Sequence, residues 1–357
     1  MSNVSLNSND ARQIINILKG SAVVVALSIF VAHISDAQFY SVWAGFIGIC
    51  TIPILIVLTG VYLPKTNLGW LQPGRFLTLS GIVCIVALLI GLAAYLLFPG
   101  FSSPNLVQST WVTLAIIVAV FHVYVFDLWP LQSFSKEFLQ KRPSLLALFE
   151  LFLIYIIAYI LLAFIGFDTP SHPIFGSLVE STYGIDIWHF LAFGYTALLV
   201  NAILALFDIT ALNVVVDRWP LTSIQPLRGI LFFTVVAILT GVILSVFRYI
   251  PSFRESFYLA TLVIPCLMAV FLVQENTGYQ WLAHRVQPLR GLMRSLGVLV
   301  LSVILLYIYQ WASVQIAGLD AFYTPSLERE LWMMNTMLSV GYPVIIIYCH
   351  FIKPAPH

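Results

Sequence analysis

Charge is scarce in this 357-residue chain: Asp, Glu, Lys and Arg together make up 9% of it, against roughly 25% in an ordinary soluble domain. So few charges cannot cover a water-facing globule, which excludes a soluble globular enzyme. The formal net charge of +1 also excludes a nucleic-acid binder, which needs a concentrated surplus of Lys and Arg. Cysteine is equally sparse. Cys50, Cys84, Cys266 and Cys349 lie inside apolar runs without CxxC spacing, so neither a disulfide framework nor a thiolate metal site is indicated. The sequence has no GxxxxGK[ST], GxGxxG, GxSxG, HExxH or ExxH motif and no His pair at i, i+4. It therefore lacks the usual signatures of nucleotide binding, serine hydrolysis and helical metal sites, and no metal or cofactor is expected.

Apolar length is what the chain has in quantity. Hydrophobic residues make up 61% of it, and the mean hydropathy is +0.98. Apolar runs fall at about 14–34, 39–63, 76–98, 109–128, 144–166, 187–208, 228–247, 256–274, 292–314 and 331–352, each long enough to cross ~30 Å of hydrocarbon as a helix. The expected fold is all-α, a polytopic transmembrane bundle of about ten spans. No connection is long enough for a second folded unit. Residues 1–357 therefore read as a single integral membrane domain, with 1–13 and 353–357 as short polar ends. The first run exceeds a signal-peptide core and lacks a cleavage pattern, so its removal is not expected.

The few charges are sorted by side. With the N-terminus inside, one set of connections and termini holds Arg12, Lys19, Lys65, Arg75, Lys136, Lys141, Arg142, Arg218, Arg228, Arg285, Arg290, Arg294 and Lys353, 13 of the 16 basic residues. The other side holds Arg248, Arg254 and Arg329 among Asp36, Asp168, Glu180, Asp186, Glu255, Asp320, Glu328 and Glu330. The positive-inside rule then puts both termini in the cytoplasm, with a bacterial inner membrane as the expected location. All nine tryptophans fall near span ends, where an amphipathic ring prefers the headgroup level.

The loops on the basic side resemble one another. Trp219-Pro-Leu-Thr-Ser-Ile-Gln225-Pro226-Leu227-Arg228-Gly229 aligns without a gap on Trp281-Leu-Ala-His-Arg-Val-Gln287-Pro288-Leu289-Arg290-Gly291. Shorter echoes occur at Trp70-Leu-Gln72-Pro73-Gly-Arg75 and at Asp127-Leu-Trp129-Pro130-Leu131, and Asp217-Arg-Trp219-Pro220-Leu221 repeats the latter. A two-span unit returns the chain to its starting side, so the expected architecture is a set of parallel two-helix hairpin repeats. Shared interfacial constraints on Trp, Pro and Arg would produce similar matches.

Candidate chemistry lies in polar groups on apolar spans, because each costs a few kcal/mol at the bilayer centre. Glu150 sits about two turns into the fifth span. Asn201 and Asp208, seven residues apart, are expected on one face of the sixth. His122, Asp127, Glu275 and His350 crowd the same cytoplasmic half. Together Glu150, Asp208, Asn201, His122, Asp127 and Glu275 form a candidate substrate or proton pathway, against the plainer reading that interfacial members are solvated or paired. Arg75, Arg142, Arg228 and Arg290 stand at helix N-termini, where they could hold an anion, a lipid headgroup or a protein partner, or serve topology alone. Pro53, Pro265 and Gly341-Tyr-Pro343 are expected helix breaks of the kind that build transport sites. The leading expectation is a transporter or channel-like permease for a small solute or ion. The alternatives are a membrane subunit or anchor docking through its basic loops, and an intramembrane enzyme acting on a lipid headgroup. The expected partners are the lipid bilayer and such a docking protein, and no nucleic acid.

Overall fold

The computed structural model describes residues 8–35, 43–62, 73–98, 106–131, 142–162, 164–166, 185–209, 224–251, 253–277, 280–319 and 326–352. Both chain ends and the loop segments carrying Lys65, Trp70, Lys136, Lys141, Asp217, Arg218 and Trp219 lie outside them, as does Arg75's side chain.

Apart from turns, the described chain is helical except for a two-residue parallel bridge between β1 (Ile165–Gly166) and β2 (Ile185–Asp186). Ten rods follow in order. They are α1 (Ser8–Ile34), α2 (Trp43–Gly48, Ile49–Val57 and Leu58–Tyr62), α3 (Pro73–Leu97), α4 (Leu106–Val120 and Phe121–Val125) and α5 (Pro143–Leu162). Next come α6 (Ile187–Leu206), α7 (Leu227–Arg248), α8 (Glu255–Tyr258, Leu259–Val263 and Ile264–Thr277), α9 (Leu289–Gln315) and α10 (Leu327–Asn335, Thr336–Gly341, Tyr342–Ile347 and Tyr348–Ile352). Among the described residues nine helices are long and apolar enough to cross a membrane, and α2 is a shorter apolar helix over Phe46–Val61. The fold is thus an all-helical bundle with the dimensions of a multi-pass membrane protein.

Odd and even helices differ. The five odd ones bury only 22–33% of their apolar window, whereas α4, α6, α8 and α10 bury 50–78% and α2 is buried almost throughout. The even helices contact one another in a closed cycle, α2 to α4, α4 to α6, α6 to α8, α8 to α10 and α10 back to α2. The odd helices stand outside, α3 on α2, α5 on α4, α7 on α6, α9 on α8, and α1 across α8 and α10. Leu88, Leu92 and Leu96 of α3, or Ile238, Val242 and Val246 of α7, are exposed on this outer layer. In hydrocarbon such surface carries no penalty, and helix association depends on close packing and buried polar contacts.

Small residues provide that packing. Gly194 of α6 meets Ile117 of α4, Gly341 of α10 meets Met268 of α8, and Gly20 of α1 lies against Asn276 of α8, each too close for a Cβ. Hydroxyl pairs join helices within each layer as well: Ser28 of α1 to Tyr309 of α9 at 2.7 Å in the outer layer, and Thr196 of α6 to Tyr258 of α8 at 3.0 Å in the inner cycle. Tryptophan follows the headgroup pattern only in part. Trp311 is exposed, but Trp111 and Trp281 are buried, Trp111 against Tyr155 and Trp281 against Gly297.

Candidate functional site

The expected breaks at Pro265 and Pro343 take the form of widened turns. Leu259–Val263 and Thr336–Gly341 are wound as π-helix, each ending two residues before its proline. A proline has no N–H to give the carbonyl four residues back, which is Thr261 for Pro265 and Ser339 for Pro343, and both lie inside the π turns. Pro53 sits in the α-helical part of α2, between π segments Trp43–Gly48 and Leu58–Tyr62. Further π turns fall at Phe121–Val125 of α4 and Tyr348–Ile352 of α10. All the π turns among the described residues belong to the inner cycle, and such turns concentrate at functional sites.

His122 occupies the π turn of α4, hydrogen-bonded through Nδ1 to Oε1 of Glu150 on α5. Glu150 is 0% exposed, and its Oε2 has no hydrogen-bond partner. A carboxyl in this setting is costly unless paired, and removing its partner typically costs ~3–5 kcal/mol. The two residues, chosen separately from the sequence, thus form one buried unit on the outer flank of the cycle.

A second group gathers where the even helices end on the face that carries the Arg-bearing loops, called here the basic face. Glu275 of α8 is bonded to His350 of α10 at 2.8 Å. Tyr124 of α4 interacts with Thr59 of α2, passes beside Gly60 and lies within electrostatic reach of Glu275. Its side chain is 52% exposed. The ends of α2, α4, α8 and α10 thus bring two hydroxyls, a carboxylate and an imidazole to this face. Tyr124 and Thr59 carried no charge or motif, so nothing in the sequence marked them.

Asp208 is placed elsewhere. Helix α6 ends at Leu206, and Asp208 lies in the following turn with φ 59°, so the face expected to join it to Asn201 is not formed. Asn201 stays within α6, half-buried. Asp208 pairs with Arg290, accepts from Gln287 Nε2 at 2.8 Å and has Arg294 at 3.7 Å. Gln287 also accepts from Gly291 N at 3.0 Å and donates to the Leu206 carbonyl at 3.4 Å. The arrangement ties the end of α6 to the start of α9.

The preceding loop is built alike. Gln225 donates to the Val125 carbonyl at 3.0 Å and accepts from Gly229 N at 3.1 Å. Gly229 lies on the Phe126 ring as Gly291 lies on that of Phe207. Asp127, exposed with φ 51°, follows Phe126 as Asp208 follows Phe207. The signal was present in the sequence as Val125-Phe126-Asp127 and Leu206-Phe207-Asp208, ahead of the aligned loops.

Among the four arginines, Arg290 is engaged by Asp208 and the Ala283 carbonyl, Arg228 is half-buried, and Arg142 is exposed. On the opposite face Arg254 of the α8 entry binds Glu330 of α10 at 2.9 Å. Glu330 and its neighbour Arg329 are 1% and 2% exposed. In the sequence both stand in an outer connection at the start of the last span, where burial is not expected. Among the described residues, no group of three or more His, Cys, Asp and Glu side chains could hold a metal ion. No family model, curated protein or solved structure matches the chain.

Proposed function

We propose that this chain is a membrane permease for a small solute or ion, whose pathway follows the axis of the even-numbered helices. The observation that carries the reading is the division of labour between layers: a closed cycle of inner helices rich in π turns, enclosed by regular apolar ones. A wall that is irregular only where lipid cannot reach it suits a polar path, since freed backbone carbonyls are tolerated there and not against hydrocarbon. Tyr124, Thr59, Glu275 and His350 form the entrance on the basic face, and the buried His122–Glu150 pair behind it on α4 and α5 is the proton-carrying element of the path.

The matched loop contacts at Gln225 and Gln287 support parallel hairpin repeats, four in all with α1 and α10 as extra elements, and α2 as one of the ten spans. Charge bias supports a cytoplasmic basic face, in keeping with the expected bacterial inner membrane. The loop arginines suit docking or headgroup capture less well, because Arg290 already answers Asp208.

The test is solute or ion flux into liposomes containing the purified protein, comparing wild type with Glu275→Gln and Tyr124→Phe at matched folding and incorporation. Flux that falls in both variants supports the permease. Absence of flux across a broad solute panel would overturn it in favour of a subunit or anchor docking through the basic loops. A lipid product formed by the wild type would favour the enzyme.

A further inference from the structure

Helices α3 and α5 stand side by side in the outer layer without closing the space between them. The result is a crevice of about 490 Å³. Its walls are Val86, Leu89 and Ala93 of α3 and Phe152 and Tyr159 of α5, and Trp111 of α4 forms its floor. No charged side chain lines it.

The crevice is held open by its own floor. Phe98, Trp111, Tyr155 and Tyr159 brace one another, with ring centroids 5.0–6.1 Å apart. The Trp111 Nε1–H donates to the Tyr155 carbonyl at 3.2 Å, fixing α4 against α5. A rigid aromatic floor cannot collapse into the gap as a run of flexible side chains would. An apolar cavity does not retain water, and left empty it would forfeit dispersion contacts along every wall. What it opens onto, between two lipid-facing helices, is the hydrocarbon of the bilayer.

Its dimensions agree with that occupant. The lining of α3 runs from Val86 to Leu97, about 16 Å at 1.5 Å per residue, close to the ~15 Å hydrocarbon depth of one leaflet. We propose that the crevice is a binding site for one acyl chain of a bilayer lipid, lying lengthwise between α3 and α5 on the face of Trp111. The site recognises hydrocarbon by shape and leaves the headgroup outside, so it selects for chain and not for charge.

The experiment uses the whole protein in phosphatidylcholine vesicles whose acyl chains are either brominated at mid-chain or unmodified. The fluorescence difference between wild type and Trp111→Phe isolates Trp111, which is only 4% exposed. The reference for full lipid contact is Leu299→Trp on α9, a position 50% exposed, made in the Trp111→Phe background. The expected result is that bromination quenches Trp111 to an extent comparable with that reference, and that Ala93→Phe, which fills the crevice, removes the quenching of Trp111. Emission from Trp111 that is indifferent to brominated chains would overturn the site, as would quenching that survives Ala93→Phe. A second readout does not depend on Trp111→Phe folding well: native mass spectrometry should show a lipid retained by the wild type and lost from Ala93→Phe. Equal retention by the two proteins would also overturn the proposal.

Discussion

At the scale of single residues, His122 and Glu150 separate stability from function. Each is buried and each is the other's partner, so removing one leaves an uncompensated polar group. His122→Leu or Glu150→Leu alone should lower thermal stability in detergent, by ~3 kcal/mol if typical of buried pairs. Joint replacement by leucine restores an apolar contact between α4 and α5, and the double variant should recover most of that loss. Under the permease reading it should remain inactive in flux while melting near the wild type. A double variant that is both stable and fully active would show the pair to be packing alone. Asp208 makes a useful contrast, because its side chain is 45% exposed and solvent weakens its attraction to Arg290 to under ~1 kcal/mol. Asp208→Asn should therefore shift the melting temperature much less than either single leucine variant.

At the scale of elements, the joins between helices carry more of the specificity than the helices do. Gly229 on Phe126 and Gly291 on Phe207 let α7 and α9 start directly against the ends of α4 and α6. A side chain at either glycine must displace a ring that is itself packed, and overpacking of that kind costs ~1–3 kcal/mol. Gly229→Leu and Gly291→Leu should each reduce the yield of monodisperse protein by a similar margin, read by size-exclusion chromatography. Gly241→Leu on α7, where nothing lies within 4 Å, should have no such effect. Similar losses at 229 and 291 would support the two joins as copies of one unit. Markedly unequal losses would count against the repeat. Much of this was legible in advance: the eleven-residue match from Trp219 to Gly229 with Trp281 to Gly291 located the joins, and Gln225 and Gln287 proved to hold them. Their receiving ends escaped notice because they lie in different spans, and only folding brings Phe126 to Gly229.

At the scale of the whole molecule, the sequence marked where apolar helices form better than how they are arranged, and even there one of the ten expected spans, α2, is shorter than the nine others. The reason is physical. In water the inside and outside of a bundle differ in polarity, so periodicity reveals the buried face, whereas in a bilayer both are apolar and hydropathy loses that power. A trace survives, since α4, α6 and α10 are each less apolar than any odd helix, but α8 is as apolar as the outer ones and hides the pattern. The closed cycle leads to a prediction about access. Tyr124 stands exposed at the basic face, whereas Met337 of α10 and Met268 of α8 are completely buried at mid-depth, so under the permease reading the path is shut in this conformation. In a protein whose native Cys50, Cys84, Cys266 and Cys349 are replaced by alanine or serine, Tyr124→Cys should react with a membrane-impermeant thiol reagent, and Met268→Cys should not. If the basic face is cytoplasmic, reaction at position 124 should occur in inverted vesicles and not in right-side-out ones. Reaction from the opposite side would reverse the assigned orientation, and rapid reaction at position 268 from either side would mean that the inner helices part readily. In that event the closed cycle would be one state of an open channel and not the resting form of a gated permease.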